Sequence, residues 1–230
     1  MNTNDYITHI KYAVAFAESQ KSRISDANTK GVKVLPLHVE GYTSPKVKHL
    51  LNNLCSINDV NYLEIGVYKG ATFTSAFFHN NGTFYGIDNW SVYSNNEKLL
   101  MEHIIKLSNK NQIVKFYDCD SFKFDLSLIK NKIDIYFYDG DHSYEAQKNA
   151  LIYFQPVLSD VLIYVVDDTL DSAKEAVEKG TSDGIININY DIIYKHELPE
   201  DLCMGNPSIN WWCGITIYIL RKKQVSNAVF

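Results

Sequence analysis

Two acidic runs in this chain are placed where they could act together: Asp139-Gly140-Asp141-His142 and Asp167-Asp168. Each ends an apolar stretch, IDIYFY at Ile133–Tyr138 and VLIYVV at Val161–Val166. Carboxylates set side by side repel one another unless a cation lies between them. Three of them, Asp139, Asp167 and Asp168, make an oxygen-rich set that suits Mg²⁺ or a similar hard divalent ion. Separate helix caps or solvated acids are the plainer alternative. His142 stands beside the set and titrates in the range of a general base, although a histidine hydrogen-bonded in a turn reads the same way.

Three more acid or glycine clusters precede these. In Glu64-Ile65-Gly66-Val67-Tyr68-Lys69-Gly70, two glycines four apart let the backbone turn tightly and approach a ligand, with a helix N-terminus behind them. The spacing is not the G-x-G-x-x-G of dinucleotide sites, and an ordinary strand-to-helix turn looks similar. Asp88 closes YGID, 24 positions beyond Glu64, where an acid can accept both hydroxyls of a ribose or simply cap a helix. Trp90 either stacks on a base or packs in the core. In Asp118-Cys119-Asp120-Ser121, Asp120 with Ser121 is the favoured partner for an exocyclic amine, with capping as the alternative. Aromatic residues near Tyr42, Trp211 and Trp212 could line a sugar or planar-ring pocket, or equally belong to the core.

The elements that must position these residues alternate. Strands are expected at Tyr62–Val67, Thr83–Ile87, Ile113–Tyr117, Ile133–Tyr138 and Val161–Val166. Between and after them, helical spacing recurs at Ala71–His79, Glu97–Leu107, Tyr144–Leu158 and Leu170–Lys179. Beyond Gly180, Tyr190–Tyr194 and Gly214–Leu220 read as an antiparallel pair at a sheet edge. Upstream, one helix spans Tyr6 to about Ala17, Glu18–Lys33 reads as a polar connector, and Thr43-Ser44-Pro45 announces a helix with the stripe Val47, Leu50, Leu51, Leu54. The pattern is α/β: a doubly wound, Rossmann-like, seven-stranded sheet, mostly parallel, with an antiparallel C-terminal hairpin. Such sheets bind ligands outside the carboxyl ends of their strands, which is where all five clusters fall. The whole chain, 1–230, is expected to form one domain, with 1–55 as an N-terminal helical cap and 56–222 as the core.

Composition narrows the function. A net charge of −5 lacks the basic footprint of a nucleic-acid binder. The four cysteines (Cys55, Cys119, Cys203, Cys213) form no C-x-x-C pair, so zinc and thioredoxin-like readings lose support and reduced thiols in a cytoplasm are expected. No apolar run is long enough for a membrane span, and the N-terminus does not resemble a signal peptide.

With these residues in place, the chain resembles class I S-adenosylmethionine-dependent methyltransferases, nearest to the metal-dependent sugar and natural-product O-methyltransferases that share a D-G-x-H-S-Y-type motif. The resemblance runs from about Gly41 to Leu220, through GYTSPKVKHLLNNL, YLEIGVYKGATF, YGIDNWS, IYFYDGDHSYEAQ, YVVDD and WWCGITIYIL. It implies that Glu64, Gly66, Gly70 and Thr72 frame the methionine end of the cofactor, and that Asp88, with Asn89 and Trp90 beside it, holds the ribose. Asp120 and Ser121 would lie near adenine. It further implies Mg²⁺ on Asp139, Asp167 and Asp168, with Asp139 also beside the cofactor and His142 as base. The implied acceptor is a small molecule bearing a sugar or glycan hydroxyl, handled without nucleic-acid or membrane partners by a protein compatible with a homodimer. Many look-alikes follow the acid pair with tryptophan, whereas Thr169-Leu170 stand here, so the acceptor pocket is expected to differ. A nicotinamide-dependent oxidoreductase and a non-catalytic nucleotide-binding protein are the rival readings on the same fold.

Overall fold

The computed structural model describes residues 2–30, 32–93, 96–169, 173–198 and 210–224. Seven strands form one sheet: β1 (Val60–Ile65), β2 (Gly82–Asp88), β3 (Gln112–Asp118), β4 (Ile133–Tyr138), β5 (Leu158–Asp167), β6 (Tyr190–Glu197) and β7 (Ile215–Lys222). Their order across the sheet is β3-β2-β1-β4-β5-β7-β6. The first five run parallel, and β7 lies antiparallel between β5 and β6. This is the doubly wound, Rossmann-like sheet with an antiparallel C-terminal pair that the strand and helix pattern led one to expect.

The chain leaves β1 in one direction to build β2 and β3, then returns across β1 to lay down β4 on its other side. That reversal opens a crevice where β1 and β4 end, the usual place for a ligand in an open α/β sheet. The Asp139 amide donates to the Ile65 carbonyl (2.9 Å), so the two strands stay joined to the lip of the crevice.

The alternation of each central strand sends side chains to two cores. Tyr62, Phe137, Ile163 and Val165 pack on one face with α1 (Thr3–Glu18), α3 (Pro45–Leu54), α4 (Ala71–Phe77) and α5 (Glu97–Leu107). Leu63, Tyr136, Tyr164 and Val166 pack on the other with α6 (Tyr144–Phe154) and α7 (Lys174–Asn187). In α3, Ser44 caps the Val47 amide, Pro45 opens the first turn, and Val47, Leu50, Leu51 and Leu54 are fully buried. Each of those burials contributes about 1.5–3 kcal/mol, which ties the N-terminal helices to the sheet.

Several boundaries differ from expectation for physical reasons. The supposed connector Glu18–Lys33 contains α2 (Arg23–Thr29), short and polar but closed by a Ser22–Ser25 capping box. Tyr144–Leu158 is not one helix: α6 stops at Phe154, Pro156 sits in a 3₁₀ turn, and β5 already begins at Leu158. The helix expected over Leu170–Lys179 is described from Lys174 and continues through Gly180 to Asn187, while 170–172 lie outside the described residues. Its glycines are packing residues, since a Cβ on Gly180 would lie 2.5 Å from the Tyr144 carbonyl and one on Gly184 2.9 Å from that of Lys148. Among the described residues, no helix is long and apolar enough to cross a membrane.

Candidate functional site

A cavity of about 750 Å³ lies over the carboxyl ends of the central strands. All five acid and glycine clusters reach it, the first through Gly66, Val67 and Tyr68 with Glu64 itself just behind.

At the end of β1 the Glu64 carboxyl is fully buried and accepts from the Tyr62 hydroxyl (2.5 Å) and the Thr72 hydroxyl (2.7 Å). Burial outweighs both hydrogen bonds and pushes its pKa up to about 8. Gly66 follows at φ +87°, and a Cβ there would lie 1.9 Å from the Asp139 carbonyl oxygen. Only a glycine lets β1 pass so close to β4. Gly70, also at φ +87°, precedes the first turn of α4, where a Cβ would strike Leu100 at 2.5 Å.

Asp88 ends β2 and accepts from two backbone amides, Tyr68 N–H on Oδ2 and Trp90 N–H on Oδ1, each at 2.7 Å. Both donors have left-handed backbone, at φ +49° and +48°. That conformation costs a non-glycine residue roughly 1–2 kcal/mol, so the carboxylate acts as a clamp on two strained turns. Asn89 accepts from the Ser91 amide (3.0 Å). Trp90 lines the cavity and packs its ring 5.1 Å from that of Phe116. After β3, Asp120 caps a 3₁₀ turn through the Phe122 amide (3.0 Å) and pairs with Lys123 (3.1 Å). Those two contacts, the amide first, hold its pKa below the ordinary value. Ser121 and Cys119 line the same wall.

Where β4 and β5 end, His142 Nε2 lies 2.8 Å from Asp168 Oδ2. One potential ligand atom from each of Asp139, His142 and Asp168 falls within 4.8 Å of the others. Asp139 is held well above the usual carboxylate range, by burial first and then by the charges of Asp167, Asp168, Glu64 and Asp88. All five strand-end carboxyls therefore act on one spot. Asp167 contributes through its field: it is buried within the sheet opposite Ile215 of β7 and is absent from the cavity lining. Asp168, at φ +54°, is turned into the cavity instead.

Of the residues singled out in the sequence, Gly66, Thr72, Asp88, Asn89, Trp90, Asp120, Ser121, Asp139, His142 and Asp168 all line this one cavity. Glu64, Gly70 and Asp167 stand behind its wall. Of the expected three aspartates, Asp139 and Asp168 lie with His142 close enough to share a cation, while Asp167, one residue before the left-handed Asp168, stands off the cavity lining. Tyr42 and Trp212 reach the cavity, whereas Trp211 is fully buried and donates to Glu18 (2.9 Å). Sequence reasoning missed Tyr68 and Tyr93, which complete an aromatic group with Tyr42. No local spacing marks them, since the three come from separate loops.

A family model for a methyltransferase domain matches residues 63–169. An uncharacterised protein of Acanthamoeba polyphaga mimivirus, R132, is 31% identical over 125 residues, half of this chain and 51% of its own length. The chain thus spans about half the length of that curated relative. Among solved structures, the O-methyltransferase TomG from Streptomyces achromogenes, in complex with SAM, superposes with a TM-score of 0.57 and 13% identity, over 91% of this chain and 89% of that one. PH1948 from Pyrococcus horikoshii, provisionally described as an RNA methyltransferase, superposes at 0.54 with 14% identity, over 89% of this chain and all of that one. The chain accordingly has the Rossmann-like methyltransferase fold, and residues 63–169, which carry most of the cavity wall, match a methyltransferase domain.

Proposed function

We propose that this protein is an S-adenosylmethionine-dependent O-methyltransferase acting on a small-molecule hydroxyl. The observation that carries the reading is the gathering of Glu64, Asp88, Asp139, Asp167 and Asp168 about the β1/β4 crevice, where burial and the neighbouring charges raise Asp139 above the usual carboxylate range and a cation would relieve the repulsion. A sulfonium cofactor with an ammonium group is such a cation. The residues fit it: Gly66, whose missing Cβ lets β1 and β4 end side by side, lines the cavity with Asp88 and Trp90, and Asp120–Ser121 lie beyond. The G-x-x-x-G turn argues against a nicotinamide cofactor.

When bound, S-adenosylmethionine supplies a methyl group whose bond to sulfur breaks as its bond to the acceptor oxygen forms, leaving S-adenosylhomocysteine and one proton. Asp88 holds the Tyr68 and Trp90 loops in place and presents its remaining lone pairs to the ribose hydroxyls. Glu64 fixes Thr72 at the start of α4. His142 accepts the proton from the acceptor hydroxyl, and Asp168, at 2.8 Å, orients the ring and stabilises its charged form. Fixing acceptor and donor in line supplies much of the acceleration.

Asp139, His142 and Asp168 also form a donor set suited to a divalent ion, which would bind the acceptor hydroxyl and lower its pKa. In that case His142 is a ligand and not the base. Excess chelator separates the alternatives: turnover lost on chelation and restored by Mg²⁺ assigns the trio to a metal, and unchanged turnover assigns His142 to proton transfer. The negative net charge favours a small acceptor over nucleic acid. A cytoplasmic setting, a single-domain organisation and a homodimer belong to the same proposal and rest on the resemblance and composition alone, and the resemblance alone points to a sugar or glycan acceptor. The test is release of S-adenosylhomocysteine with a hydroxylated acceptor panel. His142→Ala should retain cofactor binding and lose most turnover; near-normal turnover would remove His142 from the chemistry. A protein that binds the cofactor tightly and methylates nothing would instead be a non-catalytic binder on this fold.

A further inference from the structure

Tyr42, Tyr68 and Tyr93 stand together at the cavity, with ring centroids 4.9–5.5 Å apart. They come from three loops: the one before α3, the one after β1 and the one after β2. Rings this close leave no hole between them, so they form a wall and not a cage. The wall is not covered, because Tyr42 remains 56% exposed and Tyr93 46%. It also adjoins the reacting end: burial, then Tyr42, Tyr68, Asp139 and Asp168, raise the Tyr93 hydroxyl above its ordinary pKa. Trp212 adds a fourth ring, its strained backbone (φ +59°) held by the Asn210 side chain on its amide (3.0 Å). Among the described residues, four of the eight non-glycine residues with left-handed backbone line this cavity, and three of those four are aromatic: Tyr68, Trp90 and Trp212. Strain of this kind persists only where the surroundings enforce it, and it collects at binding sites.

We infer that this wall is the acceptor-recognition surface, and that it selects a planar hydroxylated aromatic ring over a sugar. The inference rests on the methyl-transfer reading. Its chemistry follows from the division of the lining. The polar groups Asp141, His142 and Asp168 come from the ends of β4 and β5, while the rings of Tyr42, Tyr68, Tyr93 and Trp212 come from other loops. A flat ring with its hydroxyls on one edge meets both sets at once, giving its face to the tyrosines and its reactive oxygen to His142. A sugar can also lay a C–H face on such rings, but it carries hydroxyls round its whole edge, and those turned away from Asp141, His142 and Asp168 would meet rings and find no partner there.

The test uses catechol and methyl glucoside as probes on the full chain, read by saturation-transfer NMR and titration with and without S-adenosylhomocysteine. Catechol should bind the wild type and methyl glucoside should not. Tyr42→Leu and Tyr93→Leu combined should weaken catechol roughly tenfold, the worth of two ring contacts, while S-adenosylhomocysteine affinity stays within about twofold. Methyl glucoside binding in preference to catechol, or catechol binding indifferent to both substitutions, would overturn the inference. Failure of S-adenosylhomocysteine to bind overturns the methyl-transfer reading instead, and the probe titrations without it still score the wall.

Discussion

Glu64→Gln is the substitution whose outcome the geometry specifies most fully. The carboxyl is completely buried between Tyr62 and Thr72, and its pKa is pushed from 4.5 to about 8. A carboxyl with a raised pKa binds its proton more tightly in the folded than in the unfolded chain. Its stabilising contribution is therefore fully present below about pH 4.5 and is lost as pH rises to 8. At about 1.4 kcal/mol per pH unit, that interval bounds the loss at about 5 kcal/mol. Glutamine cannot titrate, yet keeps an acceptor for one hydroxyl and offers a donor to the other, so both side-chain contacts survive with one reversed. Urea unfolding of both proteins at pH 5 and pH 9 reads the difference. The variant should be similar to the wild type at the lower pH and more stable by several kcal/mol at the higher one. A stability difference that does not change with pH would refute the burial argument. A bound sulfonium should also draw the proton off Glu64, so the heat of S-adenosylmethionine binding near pH 7 should vary with the buffer's ionisation enthalpy in the wild type and vary less in the variant.

Other expectations follow from the same contacts. Gly66→Ala must place a methyl 1.9 Å from the Asp139 carbonyl at a left-handed residue; it should cost more than about 3 kcal/mol in unfolding experiments and abolish cofactor binding. Asp88→Ala releases two amide hydrogen bonds; calorimetry should show S-adenosylhomocysteine affinity falling roughly tenfold to a hundredfold. Gly180→Val forces α7 away from the Tyr144 carbonyl; a thermal melt should register a loss of about 1–3 kcal/mol despite valine's better helix propensity.

The parts of this molecule legible in its sequence are those set by local periodicity. The apolar runs IDIYFY and VLIYVV announced buried parallel strands, and a strand's carboxyl end has only one place to be in such a sheet. The acids and glycines at those ends therefore converge as the pattern implied. Helix α2 was obscured because its stability comes from a serine capping box and two buried residues, Ile24 and Ala27, not from a long stripe. Helix α7 was cut short because glycine ordinarily breaks helices, whereas Gly180 and Gly184 are needed for close approach to α6. That Asp168 turns into the cavity while Asp167 stays in the sheet depends on one left-handed residue that no spacing reveals. The tyrosine wall was hidden for a related reason: Tyr42, Tyr68 and Tyr93 meet only after three loops fold over the same crevice.

The most direct measurement is calorimetric titration of S-adenosylhomocysteine, with NAD⁺ in parallel, into the wild type and Asp88→Ala. The account expects one saturable site for S-adenosylhomocysteine, none for NAD⁺, and marked weakening in the variant. No binding of S-adenosylhomocysteine, or equal binding with Asp88 removed, would contradict it.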